Sequence, residues 1–432
     1  MTDENKLLEE FLNYCKELIG QKEWNRRFEK INNYHITLKT KPILLNEKPN
    51  KRGRTFISHQ HLCNDLTMWY LYNIYNYVYN PLLCDLGLMA RTIPKVLRIA
   101  EALSILKIQN GFENKMKYLL TEKCKEFENI IFEILVANLY LRSKAKSVEF
   151  LFDKTRKFPD LMAIFNYGDI YIECKRKAKE SDYARKEREC WYTQYIPVKE
   201  YLQKNRIPLV LKIIFHNEMN AYEDDFLIKT VLPYLKDSSN GIYINTEQIT
   251  IDFYTPHFYR VNNGTVWKEY SPSFTKELFN RDNDLFGITS CYFAKKQNRM
   301  LDYIEDIQYA CAGLWYCDSP DALQKRSLSF KRYICEGIGQ IPANKNGAIH
   351  ICYESYEGQM VEKLNFDRTY SDLININLQD KKVEYIYLHN LRLMWPPDKN
   401  WDVEETVFPF STIDSKDEYF IEYPHIVAYT SI

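Results

Sequence analysis

Several absences narrow what this chain can be. Its 432 residues carry no net charge, with Lys plus Arg and Asp plus Glu both at 58, so no global field draws in a polyanion and any nucleic-acid face must be local. No apolar run approaches the roughly 18 residues that a membrane-spanning helix needs. The opening, MTDENKLLEEF, is acidic where a signal peptide is basic and then apolar. Eleven cysteines are scattered without a C-x-x-C pair, so reduced thiols in a cytoplasm are the expectation. No GxxxxGK loop offers a phosphate cradle. Eight dispersed histidines mark no Ser/His/Asp triad, and no repeats or low-complexity tracts occur.

What is present reads as a helical start followed by a sheet. NKLLEEFLNYCKELIG sets Leu7, Leu8, Phe11, Leu12, Cys15 and Leu18 on one stripe ending at Gly20. A basic, proline-punctuated connector, LKTKPILLNEKPNKRGRTF, precedes a second helix that stops before Pro81. A third is expected from Thr92 as its cap, with Pro94 in its first turn and Gly111 just past its end. From Glu113 to Arg142 one long helix is expected, then the strand VEFLF, a hairpin, a charged helix from Asp182, and the strand IPLVLKIIF. That succession describes an α/β domain. Beyond Asn220, strands are expected in GIYINTEQITIDFY, GAIHICYESY and VEYIYLHNLRLMW, with helices over Met300 to Trp315 and Leu328 to Gly337. The resulting division is a helical module at 1–110, a core at 111–220, and a mixed α/β region at 221–432 that either extends the core sheet or stands apart.

The hairpin KFPDLMAIFNYGDIYIECKRK holds the chemistry. Strand positions beside a tight turn usually carry Val, Ile, Thr or Tyr, yet here they carry Asp160, Glu173 and Lys175. With Tyr167 and Gly168 as a two-residue loop, Met162 faces Glu173 and Asp160 faces Lys175. All three charged groups then share a face, with Asp160 about 5 Å from Lys175 and roughly 7 Å from Glu173 between Cβ atoms. Two carboxylates so placed suit a hard divalent cation, with the backbone carbonyl of Cys174 between them as a third oxygen. An ammonium one position further on can position water and offset charge on a phosphorane, as metal-assisted phosphodiester hydrolysis requires.

The order Pro159-Asp160, twelve residues, then Glu173-Cys174-Lys175 resembles the PD-(D/E)xK nuclease superfamily. The resemblance covers about Phe127 to Phe215 and includes the order helix, three-stranded meander, helix, strand. It implies a restriction-endonuclease-like core, a central mixed sheet flanked by helices. It also implies Asp160 and Glu173 as ligands of Mg²⁺ or Mn²⁺, Lys175 as the catalytic lysine, and a supplementary acidic ligand from the preceding helix. Glu133, the one charge in IIFEILVANLYL, is the candidate, because a carboxylate in so apolar a stretch needs a partner. Pairing with a buried Arg or a backbone donor is the alternative, and Glu128 is the other acid on that helix. The triplet alone is unspecific: Glu4-Asn5-Lys6 and Glu113-Asn114-Lys115 repeat it.

Arg176, Lys177, Lys179, Arg185, Lys186 and Arg188 follow the motif as a phosphate-gripping surface or, with Glu180, Asp182 and Glu187 interleaved, as an ordinary solvated helix. Gln194 sits where some relatives place a polar residue near the metal. His59, His61, Cys63 and Asp65 alternate as a strand zinc site would, but helical neighbours oppose that geometry. The expectation is a metal-dependent nuclease of DNA in a restriction-like defence setting. The alternatives are an RNase, or a silent nucleic-acid-binding or assembly protein on the same scaffold. Near-zero net charge predicts that a homo-oligomer or partner protein completes the binding channel.

Overall fold

The computed structural model describes residues 2–40, 64–151, 158–177, 180–235, 241–268, 271–280, 287–297, 300–354, 357–376, 378, 381–394, 402–412 and 419–427. Most of the basic connector, together with His59, His61, Cys63 and Lys179, lies outside these residues. No helix among the described residues is long and apolar enough to cross a membrane.

Helix α1 (Asp3–Ile19) begins where Thr2 Oγ1 accepts the Asn5 N–H and ends at Gly20, whose φ of +85° a glycine adopts without penalty. Helix α2 (Gln21–Thr40) buries Trp24, Arg27 and Ile31, a stripe too thin to stand out in the sequence. Arg27 reaches Asp65, the cap of α3 (Leu66–Tyr79), through two bonds of 2.7 Å. Asp65 is thereby committed to a buried ion pair, which removes it from any metal set. Helix α4 (Leu86–Glu101) starts at Asp85, seven residues before the expected cap, and Pro94 lies inside it. Thr92 instead bonds back to the Leu88 carbonyl at 2.7 Å, as a helix-interior threonine does. After the single turn α5 (Leu103–Leu106), the expected long helix is two, α6 (Phe112–Leu119) and α7 (Phe127–Arg142).

Strands β1 (Ser147–Phe150), β2 (Leu161–Phe165) and β3 (Gly168–Lys177) form the expected antiparallel meander. Phe165 pairs with Gly168 and Leu161 with Ile172, so the loop is Asn166-Tyr167 and the register differs from expectation by two residues. Gly168 opens β3 at φ +146°, and a Cβ there would lie 2.5 Å from the Tyr419 hydroxyl. A two-residue slip preserves the alternation of faces.

The chain then leaves this sheet. Helix α8 (Asp182–Lys204) and β4 (Val210–Phe215) lead into a second sheet, and with them the expected fourth core strand departs. That second sheet has α9 (Phe226–Leu235), β5 (Tyr243–Asn245), β6 (Ile249–Tyr254), α10 (Phe258–Val261), β7 (Trp267–Lys268), α11 (Pro272–Phe279), β8 (Gly287–Gln297) and β9 (Met300–Cys317). Its order is β5-β6-β4-β9-β7, with β8 also on β9. The segment expected to be helical at Met300 to Trp315 is therefore a strand. Bulges between Phe293 and Ala294 and beyond Lys295 break the alternation that would have marked it.

Helices α12 (Pro320–Arg326) and α13 (Lys331–Gln340) return the chain to β10 (Asn346–Glu354), parallel to β3. Helix α14 (Gln359–Ile374), β11 (Lys382–Met394) and β12 (Asp402–Ser411) complete the first sheet as β1-β2-β3-β10-β11-β12. One face packs on α1–α7 through Ile170, Ile172, Ala348 and Tyr385, and the other on α13 and α14 through Ile349, Ile351 and Ile386. A mixed α/β architecture follows, with helices on both faces of its sheets.

A line of buried polar groups crosses the first sheet. Glu405 accepts from His389 Nδ1 at 3.0 Å, and His389 Nε2 shares a hydrogen bond with His350 Nδ1 at 2.9 Å. His350 Nε2 is in turn hydrogen-bonded to the Tyr140 hydroxyl at 3.1 Å. Glu405 also takes the amides of Ile426 and Val427, fastening the C-terminal segment. Burial opposes the charge on Glu405, but these donors prevail and hold its carboxyl below the usual range. Removing one member leaves buried donors bare, so Glu405→Ala is expected to cost about 3 kcal/mol or more in urea unfolding. It should also open the amides of 419–427 to hydrogen exchange. Unchanged protection there would refute the fastening role.

Candidate metal centre

The site forms where β3 outruns β2. Their ladder ends at Leu161 and Ile172, while β3 continues to Lys177, held on its other edge by β10. Asp160 fills the step: its Oδ2 accepts the Cys174 N–H at 2.9 Å in place of a β2 carbonyl, and its own carbonyl takes the Leu151 N–H at 2.9 Å. Continuing the register by one residue sets Asp160 against Glu173, not Lys175. The amide and carbonyl of one strand residue point to the same edge, so the Cys174 carbonyl also faces this open step.

Glu173 is 2% exposed. One oxygen meets Lys175 Nζ at 2.5 Å, and the other, Oε2, has no hydrogen-bond partner among the described residues. Lys175 is steadied by Gln340 Oε1 of α13 at 3.1 Å. Glu133, expected as a supplementary metal ligand, approaches from α7 and pairs with Lys115 of α6, a lysine where the alternative reading had a buried arginine or backbone donor. Burial, then the Asp160 charge, drives the carboxyls of both Glu133 and Glu173 well above their ordinary range, against the pull of Lys115 and Lys175. Asp160 is raised too, by burial, although the Cys174 amide and the two lysines favour its ionised form. Lys115 and Gln340 are the members that sequence reasoning missed, since nothing local marks either.

The charge of the partly buried Asp160 disfavours ionisation of the buried Glu133 and Glu173 beside it, a repulsion that a divalent cation would relieve. Asp160, Glu173 and the Cys174 carbonyl supply the hard oxygens that such an ion prefers, and the bare Glu173 Oε2 gives it a vacant ligand direction. Among the described residues, His, Cys, Asp and Glu side chains do not stand in groups of three or more arranged to hold a metal.

The surrounding basic residues divide. Arg176 points to the opposite face, is 8% exposed on its side chain, and pairs with Glu128 and with Glu354 at 3.4 Å. Arg91 and Lys95 of α4 join the same Glu354 at 2.6 and 2.9 Å. Through Glu128 and Glu354, Arg91 and Lys95 thus fasten the helical module to Arg176 of β3, and neither Arg176 nor Glu128 is available to phosphate or metal. Lys177 lies half-buried over Phe330 and Tyr333, its ammonium pushed below the ordinary range by burial and by Arg332 and Arg368. Arg185, Lys186 and Arg188 are exposed on α8; Arg185 pairs with Asp182 at 3.0 Å and Arg188 with Glu180. Gln194 belongs to the second sheet's packing: its Oε1 accepts the Leu227 N–H at 2.9 Å and its Nε2 donates to the Glu223 carbonyl.

Comparison with protein-family models, with curated proteins and with solved structures finds no match to this chain.

A carboxyl whose folded pKa lies above its unfolded value contributes stability at low pH that is lost as pH rises. Asp160→Asn is therefore expected to raise the melting temperature of the cation-free protein by a few degrees near pH 8. The gain should shrink as pH is lowered and wild-type Asp160 takes up its proton. A variant that melts lower at every pH would show the carboxylate to be structural.

Proposed function

We propose that the protein is a divalent-cation-dependent nuclease of the PD-(D/E)xK kind, cleaving phosphodiester bonds in DNA. The observation that carries the reading is the step at the end of the β2–β3 ladder, where Asp160 and Glu173 meet in register with Lys175 beside them. The element order supports it as well. Helix α7, the meander β1–β3, helix α13 and parallel strand β10 give the sequence of elements that the superfamily resemblance implies, with α8 through α12 as an insertion before the second helix. Helix α13 packs on both β3 and β10.

In this reading Asp160, Glu173 and the Cys174 carbonyl hold the cation, with Glu133 within its electrostatic reach. The bound ion supplies a Lewis acid that acidifies water and offsets phosphate charge. Lys175, held by Gln340, orients the attacking water and meets negative charge developing on phosphorus. The burial of Glu173 limits competing solvent, so these charges act at low dielectric.

A second reading, a nucleic-acid-binding protein without turnover, draws on the fact that Lys175 and Lys115 already occupy Glu173 and Glu133. Supercoiled plasmid with Mg²⁺ or Mn²⁺ separates the two. Wild type is expected to nick it, with loss of about 10²–10³-fold in Asp160→Ala and Lys175→Ala. Equal nicking by wild type and both variants would reject the assignment, and binding without nicking would favour the silent scaffold. Labelled RNA offered beside DNA decides the substrate.

Arg185, Lys186 and Arg188 form the exposed part of the proposed phosphate surface. Their alanine variants should weaken DNA binding across sequences and flatten its salt dependence by about 0.9 in log–log slope per lost contact. Arg176→Ala should instead lower thermal stability. An unchanged salt slope in the α8 variants would place the DNA elsewhere.

A further inference from the structure

Lys115 belongs to no element of the hairpin motif, yet its ammonium reaches from α6 to Glu133 while 7% exposed. Its field extends to Asp160 and Cys174 as well. Lys175 plays the matching part on Glu173. Three carboxylates therefore share two ammonium groups, and Glu126 at the head of α7 adds a further negative charge that Asp160 feels. Glu173 Oε2 is left over. An isolated carboxylate in the apolar body of α7 would be costly, and Lys115 is what makes Glu133 tolerable there.

We propose that Lys115 is an internal placeholder for the divalent cation: it holds the carboxylate cluster together without the ion, competes with the ion for it, and so sets the concentration at which the site fills. This inference rests on the cation-dependent reading above and makes Lys115 a positioning residue. The physical reason is charge balance. An ion entering between Asp160 and Glu173 brings two positive charges close to an ammonium already bound to the third carboxylate, and their repulsion at low dielectric is large. The ammonium must withdraw or the ion must bind more weakly. A lysine on a flexible four-carbon stem can withdraw where a guanidinium fork would not.

The test uses the full chain with Mn²⁺ and, separately, Ca²⁺, read by titration calorimetry and by thermal melting rather than by cleavage. Asp160→Ala locates the binding. Lys115→Met is expected to melt below wild type without cation, to gain more from Mn²⁺ than wild type does, and to bind Mn²⁺ about tenfold more tightly or better. Lys115→Gln, whose amide still donates to Glu133, covers the case in which the methionine variant does not fold, and it should shift in the same direction. Affinity equal to or weaker than wild type in the Lys115 variants that fold overturns the placeholder while leaving the cation site standing. A wild type that binds neither ion, or binds them undiminished in Asp160→Ala, overturns the cation reading and the placeholder with it.

Discussion

Asp160 performs two tasks that pull against each other. As the last group of the β2–β3 ladder it must accept the Cys174 amide, because β3 continues and leaves that donor without a strand partner. As a carboxylate it is drawn into a partly dry step beside Glu173 and Glu133, where each negative charge makes the others harder to sustain. Two lysines contributed by different elements keep the arrangement together. The position that lets Asp160 finish the sheet is therefore the one that sets it among other carboxylates, while the Cys174 amide favours its charged form.

Elements from both faces and the neighbouring strand hold the residues of that step. Strand β10 secures the far edge of β3, α7 brings Glu133 from one face, and α13 brings Gln340 to Lys175. The Glu128–Arg176–Glu354 cluster, with Arg91 and Lys95, fixes the N-terminal helices to the same strand one residue beyond Lys175. The line Tyr140–His350–His389–Glu405 ties β10, β11 and β12 to α7 through consecutive buried hydrogen bonds. The second sheet and its helices lie in the chain between β3 and α13.

The meander and the side on which its charged residues fall were legible in the sequence, because alternation along a strand survives a two-residue register error. The register itself was not: Gly168, read as part of the turn, opens β3. Which strand would lie beside β3 was also hidden. The hydrophobic run Val210–Phe215 says that it is buried and extended, but no local property says which sheet it joins. Helix α2 was missed for lack of a broad apolar stripe, and β9 was misread because bulges interrupt its period. In the site, Asp160, Glu173, Lys175 and Glu133 could be named from pattern and from the cost of a charge among apolar neighbours. Lys115 and Gln340 could not, since their roles exist only once α6 and α13 are packed. Arg176 was misjudged for the complementary reason: a basic residue after the motif looks solvent-facing until Glu128 and Glu354 close over it.

The most direct measurement is anomalous diffraction from crystals soaked in Mn²⁺. The account predicts a peak in the step between Asp160 and Glu173, within coordination distance of both carboxylates and the Cys174 carbonyl, with the Lys115 ammonium displaced from Glu133. An empty step at saturating Mn²⁺, with Lys175 still bound to Glu173, would contradict it.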